Sequence, residues 1–486
     1  MNHHFNPISY ENEIDNFSQP HFELHHRYYL NEKANIKNTV FYIRGKGYYE
    51  QYKEDEDLWE YGLTEQPGTF ERDLIRQKWV AKNHYGWISQ LNFQHSKGEL
   101  TTGGYLGFFD SNHWGEIKKI ISTDSLALQY NPGQKYYEYT GKKHYLTFYL
   151  NESLKFTDYL NIMTGLNFQS INYEFEQHKA GNFADSLLNS YEVAYTFIDP
   201  RLGINYNLNK NLNLYANLSY AQREPTDDEL YDTWDGPDDL GVPPLFAHAD
   251  TIFAADGSIK KIKWSNPYVK PEKLTDYEIG TEYLTGICKI KLNLFLMKFH
   301  DEIVPYGGVD DEGNPIRGNA EETIHRGIEL SYLADLPYNF YLSGNISYND
   351  NYFKKFIMFD WDENWNAVEK DFSGSKIAGF PDILANMKLS YKYNPFTIAT
   401  QIQHVGKQYL DNTENEDRTI SPFTLVNAYL IYKFGDKRSN LEISLRVNNI
   451  FNLRYETSGY YDSWDGKNYL FPAAGRNIIL GVRMGF

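Results

Sequence analysis

Two kinds of residue in this 486-residue chain are placed where they could do chemistry. The first are Trp and Tyr residues set among carboxylates in polar stretches. Trp59 and Tyr61 fall in 50–83. Trp234 and Asp235 fall in 223–274, beside Asp227, Asp228, Glu229, Asp232, Asp238 and Asp239. Trp361 and Trp365 fall in 350–381 with Asp362 and Glu363, and Tyr461 and Trp464 fall in 452–476 with Tyr460 and Asp465. Indole and phenol rings give large, rigid contact area at small entropic cost, which suits capture of a ligand. As plain structure, the same rings would pack loop on loop or line a membrane–water boundary. The second kind are single charges inside alternating apolar segments: Glu278, Glu282, Glu329, Arg446 and Arg483. Their alternation puts them on the face opposite the apolar residues.

Other chemistries are excluded. Cys288 is the only cysteine, so neither a disulfide framework nor a cysteine-rich zinc site is possible. The adjacent pairs His3-His4 and His25-His26 point to opposite faces if extended and make no zinc-spaced set. Asp310-Asp311-Glu312-Gly313-Asn314 lacks the spaced ligands and closing Glu of a calcium loop. No Gly-x-Ser-x-Gly elbow is present, and no cofactor is expected. A formal charge of −18 argues against nucleic acid as partner. It fits solvated acidic loops, or attraction of cationic ligands.

The elements that must carry these residues are strands. From Lys289 to His300, Ile290, Leu292, Leu294 and Leu296 share one face and Lys291, Asn293 and Phe295 the other. Leu441, Ile443, Leu445 and Val447 alternate in the same way with Glu442, Ser444, Arg446 and Asn448. Such segments run to about ten residues, the length of a tilted bilayer-spanning strand. About 17 can be counted by alternation. Aromatic residues make up 17% of the chain, with 42 tyrosines, which favour strands and membrane boundaries. No run approaches the length of a transmembrane helix, and the mean hydropathy is negative. A membrane barrel accommodates both facts, because its strands alternate.

The connections alternate between short and long. Short ones include Asn209-Lys210, Thr285 to Cys288, Asp335 to Pro337, Tyr393 to Pro395 and Gly435 to Ser439. Long ones include 50–83, 111–142, 174–199, 223–274, 303–320, 350–381, 409–422 and 452–476. Short periplasmic turns and long extracellular loops are the rule of outer-membrane barrels. The expected fold is therefore all-β, an antiparallel transmembrane β-barrel. With the last strand entering the periplasm, residues 1–21 read as part of an extracellular loop and 22–486 as barrel. The N-terminus lacks a basic, then apolar, secretory signal. An odd strand count would leave an open edge in lipid. Plugged transporter barrels have about 22 strands, so about five strands and a lumen-filling domain are expected ahead of Met1.

Four stretches resemble the TonB-dependent outer-membrane receptors. Arg223-Glu224-Pro225-Thr226, with Glu229-Leu230 after it, resembles the family's Arg-x-Pro-Ser/Thr exit into a large external loop. Lys270-Pro271-Glu272 with Tyr277-Glu278-Ile279-Gly280 resembles its return into the barrel. His325-Arg326-Gly327-Ile328-Glu329-Leu330 resembles its Arg-Gly-Val-Glu strand. Asn448-Asn449-Ile450-Phe451-Asn452-Leu453-Arg454-Tyr455, followed by Gly475-Arg476, resembles the Asn-Leu-Phe-Asn-x-x-Tyr box before the last loop. The final strand alternates Ile478, Leu480, Val482, Met484 and Phe486, and a terminal Phe486 resembles the signal read by the barrel assembly machinery.

The resemblance covers about residues 22–486. It implies outer-membrane lipid as solvent and a plug against Glu278, Glu282, Glu329, Arg446 and Arg483. It also implies energy from the TonB-ExbB-ExbD system, through a plug and TonB box outside this sequence. The implied cargo is a metal chelate such as a ferric siderophore, haem or cobalamin. The alternatives are a passive porin-like or adhesin barrel, which needs no plug, and an enzymatic barrel, which needs a rim constellation the sequence lacks. A soluble propeller would need repeats of about 40–50 residues, and none is visible.

Overall fold

The computed structural model describes residues 10, 14–68, 70–121, 130–183, 188–231, 236–257, 259–309, 315–361, 367–435, 440–462 and 466–485. Nearly all of it is strand. The main strands are β1 (His21–Asn31), β2 (Ala34–Asp57), β3 (Glu71–His95), β4 (Gly98–Ile121), β5 (Gln134–Lys155), β6 (Leu160–Ala180), β7 (Asn189–Asn207), β8 (Leu212–Arg223) and β9 (Glu272–Leu284). They continue with β10 (Cys288–Val309), β11 (Pro315–Leu336), β12 (Phe340–Lys355), β13 (Ile383–Tyr393), β14 (Phe396–Val405), β15 (Phe423–Gly435), β16 (Asn440–Asn448) and β17 (Asn477–Gly485). Each corresponds to an alternating segment of the sequence. Among the described residues, no helix is long and apolar enough to cross a membrane, which says nothing of strands.

Contacts divide the chain into two compact units. The first is Met1–Ser153, Thr164–Pro200 and Gln222–Pro271. The second is Leu154–Met163, Arg201–Ala221 and Glu272–Phe486.

In the second unit, antiparallel neighbours pair in chain order. Register carries an apolar row across them: Ile279 faces Leu294, Leu294 faces Ile328, and Ile328 faces Tyr348. All four are exposed in the chain alone, Ile279 by 59%. A row of exposed aliphatic side chains is intolerable in water and ordinary against lipid. The opposite face carries Glu278, Asn293 and Glu329, and two glycines there are dictated by rings. A Cβ on Gly280 would sit 2.3 Å from the Tyr215 hydroxyl, and one on Gly327 would sit 2.7 Å from Phe295. Aromatic rings laid over strand glycines fill the gap that the missing side chain leaves. Toward the long loops, Val304, Ala320, Phe353, Phe356 and Ile377 form a buried core.

In the first unit, β2, β3 and β4 span 24, 25 and 24 residues, more than twice what a bilayer needs. The segments read as loops 50–83, 111–142 and 174–199 are thus largely strand, as is 303–320 in the second unit. Glu50 still pairs with Gln77 and Asp57 with Glu71, so the true connection is 58–70. Continuing the ladder satisfies each amide, which an irregular loop of that length could not do. The inward face of these extensions carries large aromatic side chains instead of simple alternation, so the period-two signal fades there. Residues Asp15–Ser18, expected as loop, form a short strand paired with β2 from Asp15↔Tyr49 to Ser18↔Lys46.

Segment 223–271 also contains order that its sequence hid. A hairpin, Phe246–Phe253 with Ile259–Pro267, lays its second arm parallel to β7 through Ile262↔Asn189, Lys263↔Ser190 and Trp264↔Tyr191. Trp264 donates its indole N–H to the Asn189 side-chain oxygen at 2.8 Å.

Candidate functional site

Three of the four family-like motifs turn out to be structural joints, while His325–Leu330 lies inside β11. Thr226 and Glu229 cap each other: the Thr226 N–H donates to the Glu229 carboxylate at 2.8 Å, and the Glu229 N–H to the Thr226 hydroxyl at 3.4 Å. Arg223 closes on the same carboxylate at 3.4 Å. Glu272 accepts the Ile303 N–H at 3.1 Å, fixing the return strand to its neighbour. Asn449 and Asn452 hold the left-handed backbone of the box at φ 49° and 52°. The Asn449 side chain exchanges two 2.8 Å bonds with the backbone of Leu453, and Asn452 accepts the Arg476 N–H at 2.8 Å. Asn tolerates left-handed backbone by bonding locally, which explains asparagine there.

The embedded charges come together in part. Asn293 on β10 sits between two carboxylates, donating to Glu278 at 3.4 Å and to Glu329 at 3.2 Å. Tyr215 donates its hydroxyl to the Asn293 oxygen at 2.8 Å, and Lys291 lies 5.0 Å from the Tyr215 ring centroid. Glu282 pairs with Lys289 at 2.9 Å. Arg446 lies apart from these, over the Tyr429 ring, which also carries Lys388. Arg483 stands opposite Glu442 in the register, and Glu442 is paired with Lys433 at 3.1 Å. The outcome is a polar face of hydrogen-bonded and ion-paired groups.

The aromatic candidates meet different fates. Trp59 packs edge-on against Phe183 with centroids 4.8 Å apart, and its carbonyl accepts the Asn182 side chain. Tyr61 is 2% exposed, so it serves a core and offers no surface. Tyr461 lies under Arg418, whose guanidinium stands 3.6 Å from the ring centroid and bonds Asp411 at 2.6 Å. Trp361 lies in a short strand, Ile357–Trp361, of the 350–381 segment. Trp234, Asp235, Trp365, Trp464, Phe486 and the Asp310–Asn314 run lie outside the described residues. Among the described residues no group of three or more His, Cys, Asp or Glu could hold a metal.

Tyr61 opens onto the cluster that sequence reading missed. On the inward face of the extended strands, Arg76 donates to the Tyr61 hydroxyl at 3.2 Å, and Tyr61 donates to Glu56 at 2.6 Å. Two residues along, Lys78 is 4% exposed and pairs with Asp238 at 2.6 Å. Tyr136, Tyr137, Tyr139, Tyr173, Tyr191 and Tyr231 fill the space around them. Burial pushes the Tyr136 hydroxyl up to about 12 and the Tyr61 hydroxyl well above its ordinary value, so both stay protonated. Burial also lowers His113, with Asp227 and Asp238 pulling the other way. The even spacing of Arg76, Lys78 and Lys82 was the available signal. It had no visible partner, because Asp238 is 160 residues away in sequence (238 against 78).

Exposed apolar side chains on one face, paired polar groups on the other and hairpins with one short end define an outer-membrane-type β-barrel protein. The family model "TonB dependent receptor-like, beta-barrel" matches residues 4–450. The chain belongs to that family. It is 32% identical over 108 residues to the TonB-dependent heme receptor A of Haemophilus influenzae, covering 21% of this chain and 14% of that protein. Solved structures with the same fold include the siderophore receptor PiuA of Acinetobacter baumannii, 16% identical with a TM-score of 0.64. Another is the pyoverdine outer-membrane receptor FpvA of Pseudomonas aeruginosa, bound to pyoverdine, 16% identical with a TM-score of 0.63. Each alignment takes in 97% of this chain, and 65% and 62% of the respective receptor. The chain thus spans less than two thirds of the length of these relatives.

Proposed function

We propose that this chain is the barrel portion of a receptor that takes up a scarce metal chelate across an outer membrane. The cargo class is a ferric siderophore, haem or a similar chelate. Energy would come from the TonB-ExbB-ExbD system through a plug, and assembly from the barrel assembly machinery. The observation that carries the reading is the family match across residues 4–450. The printed names of its relatives, a haem receptor and siderophore receptors, support the cargo class. The ligand side would be the long-loop end, with Trp59, Trp234, Asp235, Trp361, Trp365, Tyr461 and Trp464 as candidate contacts. Tyr61 acts beneath that surface. Glu278, Glu282, Glu329, Arg446 and Arg483 would face the plug, and Phe486 would be the assembly signal.

Growth on defined chelates tests this. The full-length protein is expressed in a strain stripped of its own chelate receptors, with and without TonB. TonB-dependent growth on one ferric chelate or haem is expected. Uptake that survives loss of TonB would favour a passive porin-like barrel instead, and no uptake with surface adhesion would favour an adhesin.

A further inference from the structure

The basic positions on the inner face of β3 are matched by an acidic segment of the same unit. Lys78 stands between Arg76 and Lys82 on that face, and His113 lies opposite Val80 on β4. The segment laid against them carries Asp227, Asp228 and Glu229 before its buried Leu230 and Tyr231, and Asp238 and Asp239 after. One carboxylate reaches the floor of the recess. Asp238 meets the Lys78 ammonium at 2.6 Å, with the lysine buried and 18% of the aspartate side chain still open to solvent. Its negative charge is felt by His113 and by the Tyr137 and Tyr139 hydroxyls. The Tyr136 hydroxyl is buried in the same field of charge and has no hydrogen-bond partner among the described residues.

An ammonium, a spare phenol donor and aromatic walls together suit a carboxylate. The chain's own Asp238 fills that role here. The turn that carries it is closed on itself. The Gly236 N–H donates to the Asp239 carboxylate at 2.7 Å, and the Asp239 N–H to the Gly236 carbonyl at 3.1 Å. Further along, the Asn189 side chain of β7 donates to the Val242 carbonyl at 3.1 Å. Gly241, at φ 84°, lies between the turn and that tie, where the backbone can swing.

We infer that Asp238 is an internal pseudo-ligand: it holds 236–241 closed over a site for a carboxylate-bearing ligand, and such a ligand opens the segment by taking Lys78 from Asp238 and engaging the Tyr136 hydroxyl. A buried ion pair is little screened by salt, so it yields to a competitor for the same ammonium and hardly to ionic strength. The ligand must displace Asp238 first, so its apparent affinity is its intrinsic affinity scaled by the open fraction. The contact therefore discriminates. A ligand without a carboxylate gains nothing from the open state and cannot shift the segment toward it. The inference rests on the uptake reading, whose cargo it narrows to chelates with a free carboxylate, while its test reads binding alone.

The test uses the full-length protein in detergent micelles, with iron-free citrate, a small tricarboxylate, as the probe and sodium chloride at equal ionic strength as the control. Hydrogen exchange of the 236–242 amides reads opening, and titration calorimetry reads affinity. Citrate is expected to raise exchange there several-fold in wild type, and sodium chloride to leave it unchanged. Asp238→Asn is expected to raise basal exchange and to tighten citrate binding about tenfold, because the competitor is gone. Tyr136→Phe is expected to weaken citrate binding and leave basal exchange alone. Lys78→Met/Asp238→Leu replaces the pair by an apolar contact, and its exchange should ignore citrate. Heat-shifted gel mobility confirms that each variant is folded. Unchanged or weaker citrate binding by Asp238→Asn, or an equal citrate response in the double variant, would each overturn the inference. Tighter binding by Asp238→Asn with no chelate taken up by wild type would sink the uptake reading alone, so the two readings fail separately.

Discussion

The ammonium of Lys78 lies 2.6 Å from the carboxylate of Asp238, in a place where the lysine is 4% exposed. One partner stands on a strand of the sheet and the other in the segment after Arg223. Removing one side of a buried ion pair leaves a charge without compensation, which costs about 3–5 kcal/mol. Asp238→Ala is expected to loosen 236–246 before the strands melt. Hydrogen exchange of those amides should rise, while the double variant Lys78→Met/Asp238→Leu should restore much of the protection.

Tyr136 supplies a second test. Its hydroxyl is buried with no hydrogen-bond partner among the described residues. A buried polar group without a partner is a cost, so removing it should not harm the fold. Tyr136→Phe is expected to be neutral or stabilising by up to about 1 kcal/mol in thermal unfolding. A clear loss of stability would reveal a bridging water instead.

Gly280 tests the ring-over-glycine contact. Tyr215 occupies the space a side chain would need, and its hydroxyl serves Asn293. Gly280→Val should displace the ring and cost about 1–3 kcal/mol through overpacking. Gly280→Val combined with Tyr215→Ala should recover part of the loss, as read by the temperature at which the folded gel band disappears.

His113 gives a pH dependence. Its folded-state affinity for protons is lowered, first by burial, and stays lowered despite Asp227 and Asp238. The unfolded chain therefore binds a proton more readily than the folded one. Stability from the neutral ring is present above the ordinary histidine range, near 6.5, and is lost as pH falls below it. Melting temperatures at pH 7.5 and 5.5 should differ more in wild type than in His113→Gln.

Thr226→Ala should remove the reciprocal cap with Glu229 and cost about 1 kcal/mol locally. The effect should appear as faster exchange at Glu229 and Leu230, with the strands unchanged.

The sequence by itself determined the alternating strands, their faces and their short-turn ends. Alternation at Lys289–His300 or Asn440–Asn448 is legible because a bilayer imposes opposite demands on neighbouring residues, and short turns such as Asn209-Lys210 follow from local backbone chemistry. It also placed Glu278 and Glu329 on one face, since strand parity is a local property. Tertiary structure decided what meets across distance. The sequence could not place Asn293 between those two carboxylates, because that depends on register between β9, β10 and β11. It read 50–83 as loop, because outside the bilayer the inner face turns aromatic and the alternation weakens. Tyr61 looked like a surface ring until Arg76, Tyr136 and the distant segment bearing Asp238 closed over it. The Lys78–Asp238 pair joins residues 160 positions apart (238 against 78), and no local preference encodes it.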